Sequence, residues 1–89
     1  MPKLSFVDWL YQQDESTNPE AGKLARFLFP RLASGSMFLT GRGSKAVNVA
    51  IFTYRRDSLE AGKTREYMRA DEAFTLLKTV KETYHAGVE

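Results

Sequence analysis

The residues best suited to chemistry lie in Gly41-Arg42-Gly43-Ser44-Lys45, where two glycines, a hydroxyl and two cations precede a candidate helix start. Backbone N–H groups in such a turn can form a concave nest for an anion, with Arg42 and Lys45 supplying positive charge. Gly41, Gly43 and Ser44 are therefore candidate anion ligands. The run is not a P-loop, because the G-x-x-x-x-G-K-[ST] spacing is absent and Lys45 follows Ser44 rather than preceding it. The competing role is a plain turn, with glycine at positive φ and Ser44 capping a helix.

Further cations follow at Arg55, Arg56, Lys63, Arg65 and Arg69, with Tyr54 and Tyr67 among them. Residues 41–70 carry seven cations against three carboxylates, whereas residues 1–40 hold four of each and 71–89 lean negative. Gathered on one face with Arg42 and Lys45, this set would make a footprint for an acidic protein or for nucleic acid. The tyrosines could then stack on unpaired bases. The competing role is an ordinary solvated face, and a net charge of +2 names no partner by itself.

Other chemistries find little material. The absence of cysteine excludes disulfides, zinc-thiolate sites and thiol nucleophiles. His85 is the only histidine, so a Ser/His/Asp triad would hang on a residue close to the last one, and a transition-metal site would lack partners. The carboxylates are scattered through caps and loops. No catalytic residue, metal ligand or cofactor site is expected. No stretch approaches the roughly 18 apolar residues of a membrane span, and Met1-Pro2-Lys3-Leu4-Ser5 leads directly into an amphipathic segment rather than an apolar signal core. A cytoplasmic protein is expected.

The elements that must position these residues are legible in part. With 89 residues, the chain has room for one domain, expected over 1–89, which must rely on a single packed core. Ser5 can cap a first helix, with Asp8 completing a weak capping box and Leu4 and Trp9 forming a hydrophobic staple. Asn18, Pro19 and Glu20 suit the cap, first position and first turn of a second helix, whose stripe is Ala21, Leu24, Ala25 and Leu28. Pro30 should end it or start another turn, leaving 31–36 as a connector.

Residues 37–54 read two ways. Val47, Ala50, Ile51 and Tyr54 fall at helical spacing after Ser44, while Val47, Val49, Ile51 and Thr53 alternate as a strand would. In the second case Met37-Phe38-Leu39-Thr40 could pair with them as a hairpin, giving an α+β fold. Residues 55–63 read as a loop or frayed helix end. A last helix is expected from an Asp71 cap, with Ala73, Leu76, Leu77, Val80 and Tyr84 as its stripe, Tyr67 and Met68 packed under its start, and Gly87 as its stop.

The pattern Ser5-Phe6-x-x-Trp9-Leu10, then Gly22-x-Leu24-Ala25, then Phe29-Pro30, resembles the YozE-like family of small bacterial proteins. The resemblance covers residues 5–30, with Tyr84 matching the terminal tyrosine; Val7 stands where the family usually has an aromatic, and residues 31–65 are longer and more basic. It implies a compact all-α, four-helix domain of sterile-alpha-motif type and favours a helix over 45–55. It brings no enzymatic activity.

The expected function is a non-catalytic protein-interaction module, a small regulator or inhibitor docking on a larger bacterial or phage protein through residues 41–69. Nucleic-acid binding through the same cations is the alternative, and self-association a third. The expected core joins Phe6, Trp9, Leu10, Leu24, Leu28, Ile51, Leu77 and Val80. Trp9→Ala should therefore cost roughly 3–5 kcal/mol in denaturant unfolding; unchanged stability would instead make Trp9 a surface anchor.

Overall fold

The computed structural model describes residues 4–88, with side chains over 4–86. Among the described residues the chain forms four helices and no strand: α1 (Phe6–Tyr11), α2 (Pro19–Ser34), α3 (Ser44–Glu60) and α4 (Thr64–Val88). The α+β alternative with a hairpin at 37–54 is overturned. Val47, Ala50 and Ile51 are buried together on one side of α3, and burying that helical stripe outweighs the preference of β-branched residues for strands.

Local chemistry sets the first two helix starts. The Asp8 N–H donates to Ser5 Oγ at 3.2 Å, and the Ala21 N–H donates to Asn18 Oδ1 at 3.2 Å, each satisfying one orphan donor of the first turn. Pro19 follows Asn18 at the first position of α2. Between these helices the Asp14 carboxylate accepts from the backbone N–H groups of Ser16 and Thr17, both at 3.0 Å, and from their hydroxyls. The Ser16 hydroxyl is the main reason the Asp14 carboxyl sits below its ordinary range. The folded loop then presses on α2 at Gly22, where an added Cβ would stand 2.3 Å from the Glu15 backbone nitrogen.

Five boundaries differ from expectation. Helix α2 runs through Pro30 to Ser34 instead of stopping. Proline forfeits one internal hydrogen bond, but the turn beyond it is held from outside through Arg31. The helix ends at Gly35, whose φ of 83° is left-handed backbone suited to glycine, with the Ser36 N–H returning to the Arg31 carbonyl at 2.9 Å. Residues 55–60 are regular helix rather than loop, and α3 closes when the Lys63 N–H reaches the Ser58 carbonyl at 2.8 Å. Helix α4 begins at Thr64, so Asp71 is an interior residue and not a cap; its carboxylate meets Arg55 of α3 instead. Gly87 does not stop α4, which is helical through Val88. Ser44 is likewise not the cap of α3: Gly43 holds that position and no side chain satisfies the first turn.

The core is one continuous cluster built from all four helices. Phe6, Leu10, Leu24, Leu28, Val47, Ile51 and Val80 are fully buried, and Met37 joins them from the α2–α3 connector. Leu77 is buried with them. Trp9 is only half-buried at the edge, its ring 5.3 Å from Tyr84 and 5.9 Å from Phe6. The Tyr84 hydroxyl donates to the Leu4 carbonyl, tying α4 to the start of α1. Met68 is exposed rather than packed under α4.

Phe6→Ala should consequently show the full aromatic-truncation cost, and Trp9→Ala only the low end of its range. Gly22→Ala should destabilise the domain by about 3 kcal/mol, because backbone rather than a flexible side chain must move. Gly43→Ala, with open space around the new methyl group, should change the melting temperature little, the stiffer chain offsetting alanine's poorer fit at the N-cap. Thermal unfolding of the four variants and the parent checks the order.

Candidate binding surface on α3 and α4

The sequence-selected residues are not gathered on one face. Helix α3 carries Lys45 near its start and Arg56 eleven residues later, roughly 16 Å along the axis. Lys63 and Arg65 sit at the α3–α4 turn, exposed to solvent. Arg69 lies one turn after Arg65 and lines the cleft between α4 and α2.

Two of the candidates are engaged inside the fold, and a third is paired at its surface. Arg42 forms an ion pair with Asp8 of α1, and its carbonyl accepts from the Val7 N–H at 3.0 Å. The Arg42 guanidinium is the main reason Asp8 lies below the ordinary carboxylate range. Arg55 is laid against α4, its Nη2 donating to the Tyr67 hydroxyl at 3.1 Å and its guanidinium 5.1 Å from the Tyr67 ring centre. Its Nε lies 3.0 Å from Asp71 Oδ1, a charge contact without an aligned hydrogen bond. Tyr54 is half-buried, and its hydroxyl accepts from Arg31 Nε at 3.3 Å.

That tyrosine belongs to a junction of three helices. Arg31, with its side chain only 14% exposed, donates through Nη2 to both Glu66 oxygens at 3.1 and 2.8 Å. Its Nη1 donates to the Phe27 carbonyl at 2.8 Å, and the guanidinium lies 4.2 Å from the Phe27 ring centre. The arrangement joins α2, α3 and α4 around one planar cation whose donors are largely satisfied.

The Gly41–Gly43 turn does not take the geometry of an anion nest. Alternating right- and left-handed backbone makes a nest, and among the described residues only Gly35 and Gly62 have positive φ. Ser44 and Lys45 open α3 beyond it, Lys45 exposed to solvent.

Two concavities stand out among the described residues. The cleft between α2 and α4, about 380 Å³, brings Lys23, Arg26 and Arg31 together with Arg69 over Phe27 and Leu76. Much of its charge is already balanced: Arg31 by Glu66, Arg26 by Glu15 at 2.8 Å, with Glu72 also in the wall. A second groove of about 440 Å³ runs along Leu4, Val7, Tyr11 and Phe29, with the Asp8–Arg42 pair in its wall. Among the described residues no group of three metal-ligating side chains gathers, and no helix is long and apolar enough to cross a membrane.

The larger exposed feature was not anticipated. Lys45, Val49, Phe52, Arg56 and Leu59 recur at helical spacing along the outer face of α3. Val49, Phe52 and Leu59 are 47%, 49% and 60% exposed, an arrangement in which large apolar side chains do little for the core. Phe52 reaches Phe74 of α4, ring centres 6.4 Å apart. Phe74 continues along α4 to exposed Lys78 and Lys81 at i+4 and i+7. The result is an apolar ridge flanked by cations.

The Arg31 junction sets a pH dependence. Arg31 holds the Glu66 carboxyl below its ordinary range. A depressed folded-state pKa adds stability above the unfolded value, roughly pH 4, and that stability is lost as pH falls through the folded value. Glu66→Gln should lose roughly 1–2 kcal/mol at neutral pH, allowing for the partial exposure of the pair. The gap from the parent should close in acid. Denaturant titrations at pH 7 and pH 3 check this, and an undiminished gap at pH 3 would contradict it.

No family model matches this chain, and the searches of curated proteins and solved structures likewise return no match.

Proposed function

We propose that this domain is a non-catalytic protein-interaction module that recognises an acidic protein through the outer face of α3 and the adjoining row of α4. The single observation that carries the reading is the exposed Val49, Phe52 and Leu59 stripe, which Lys45 precedes and Arg56 interrupts. Contiguous large apolar side chains on the surface of a small domain commonly mark a partner site, and a cationic surround favours an acidic one. The leading sequence expectation is kept, with its location narrowed. Lys45 and Arg56 remain in the contact set, whereas Tyr54 and Arg55 serve the fold and Arg42 lies apart from α3, paired with Asp8 of α1. The YozE-like resemblance is consistent with a four-helix scaffold and adds no partner.

A photo-cross-linking residue at position 52 or 59 tests the reading in a lysate of the native host. Discrete protein adducts are expected, competed away by excess parent domain and absent when the cross-linker replaces Lys23 on the other side of the molecule. Adducts removed by nuclease would assign the surface to nucleic acid instead. No specific adduct from a folded domain would overturn the proposal.

A further inference from the structure

The backbone of α3 has no free edge to offer. Its N–H and C=O groups are spent inside the helix except at the ends, and no strand is present among the described residues. An extended peptide therefore has no sheet to join, and recognition must proceed by side-chain packing. The stripe from Lys45 to Leu59 is straight and spans about 21 Å, fourteen residues at 1.5 Å each. Its side chains recur at i, i+4, i+7, i+11 and i+14, a row whose ridges and grooves match those of another helix. Phe52 and Phe74 meet along the seam with α4 and give that row an aromatic wall.

Charge selects among helical occupants. Lys45, Arg56, Lys78 and Lys81 are all exposed around the row. The nearest α4 carboxylate, Asp71, is taken up by Arg55, and the 3.4 Å contact between exposed Arg56 and Asp57 is worth little. Glu60 and Glu82 stand at the margins and only partly offset four cations. A second copy of this chain laid on the same face would set these cations against each other, which costs affinity. A nucleic acid would place phosphates over Val49, Phe52 and Leu59 without using them.

We infer that the occupant of this face is an amphipathic helix of the partner, apolar on its inner side and carrying Asp or Glu along both flanks, packed along α3 against the Phe52–Phe74 wall. The inference rests on the protein-interaction reading and specifies the partner's chemistry. Apolar anchors spaced i, i+3, i+4 and i+7 on the partner helix would fill the gaps between Val49, Phe52 and Leu59. Its carboxylates would meet Lys45 and Arg56 on one side and Lys78 and Lys81 on the other.

The experiment uses three synthetic probes titrated into the full chain, followed by backbone amide shifts and by fluorescence anisotropy. The first is a helical peptide of about 15 residues, enough to span the row, with Leu and Phe on one side and Glu on the flanks. The second has the same apolar side with Lys on the flanks, and the third is a short DNA duplex. Saturable binding of the Glu-flanked peptide is expected, with shifts centred on 45, 49, 52, 56, 59 and 74, and affinity falling as salt is raised. Phe52→Asp should weaken it by at least about tenfold, as loss of a central aromatic anchor does. Lys45→Glu with Arg56→Glu should reverse the preference towards the Lys-flanked peptide.

Equal binding of both peptides, shifts on another face, or stronger binding of the duplex would each overturn the inference. Failure of the Glu-flanked peptide alongside specific protein adducts at positions 52 and 59 would leave the interaction surface standing and remove the acidic helix. Loss of both would remove the surface itself.

Discussion

Everything in this domain depends on α4 being able to bury one side against both α2 and α3. A chain of 89 residues without cysteine has no staple to replace that core. Ala70, Ala73, Leu77, Val80 and Tyr84 place small residues at one end of the buried side of α4 and larger ones at the other. Phe6 and Leu10 of α1 pack into the same core, with the Phe6 and Tyr84 rings meeting edge to face at 5.3 Å. The Arg31 junction fixes the opposite end. Its planar cation meets the Glu66 carboxylate, the Tyr54 hydroxyl and the Phe27 ring, so the α2 turn beyond Pro30 is determined by contacts outside its own sequence.

That distribution explains which residues are left over. Arg55 and Tyr54 lie on the sides of α3 that face its neighbours and are consumed there. The outer face, turned away from both partners, carries Val49, Phe52 and Leu59 without a core to enter. Large apolar side chains left half in water add little to folding beyond the Phe52–Phe74 contact, and their clustering on one face is the physical basis for proposing that a partner covers them. The α2–α4 cleft differs in kind, since internal carboxylates already pair with two of its four cations, Arg26 and Arg31.

What the sequence made legible was local. Ser5 and Asn18 cap helices through hydrogen bonds that reach three residues, so their spacing alone exposes them. The core positions Phe6, Leu10, Leu24, Leu28, Ile51, Leu77 and Val80 follow from helical periodicity for the same reason. What it hid was decided at a distance. Pro30 is tolerated because Arg31 finds Glu66 thirty-five residues away. Asp71 resembles a cap because it precedes an apolar stripe, yet its carboxylate answers Arg55. The first two turns of α4 carry mostly polar residues, with Ala70 alone fully buried, and so show little periodicity. Lys23 and Arg26 escaped attention because a charge count over residues 1–40 averages them away. The stripe on α3 was readable only once 44–60 is accepted as helix, since its residues form the second phase, opposite Val47, Ala50 and Ile51.

The central structural claim is that the outer face of α3 is surplus to folding. The most direct measurement is the thermal unfolding of a triple variant, Val49→Ser, Phe52→Ser and Leu59→Ser, followed by circular dichroism. A helical, cooperative domain melting within about 5 °C of the parent is the expected result, the small loss coming from the Phe52–Phe74 contact. An unfolded or molten chain would mean that the stripe supports the core, and the case for a partner-covered face would fall with it.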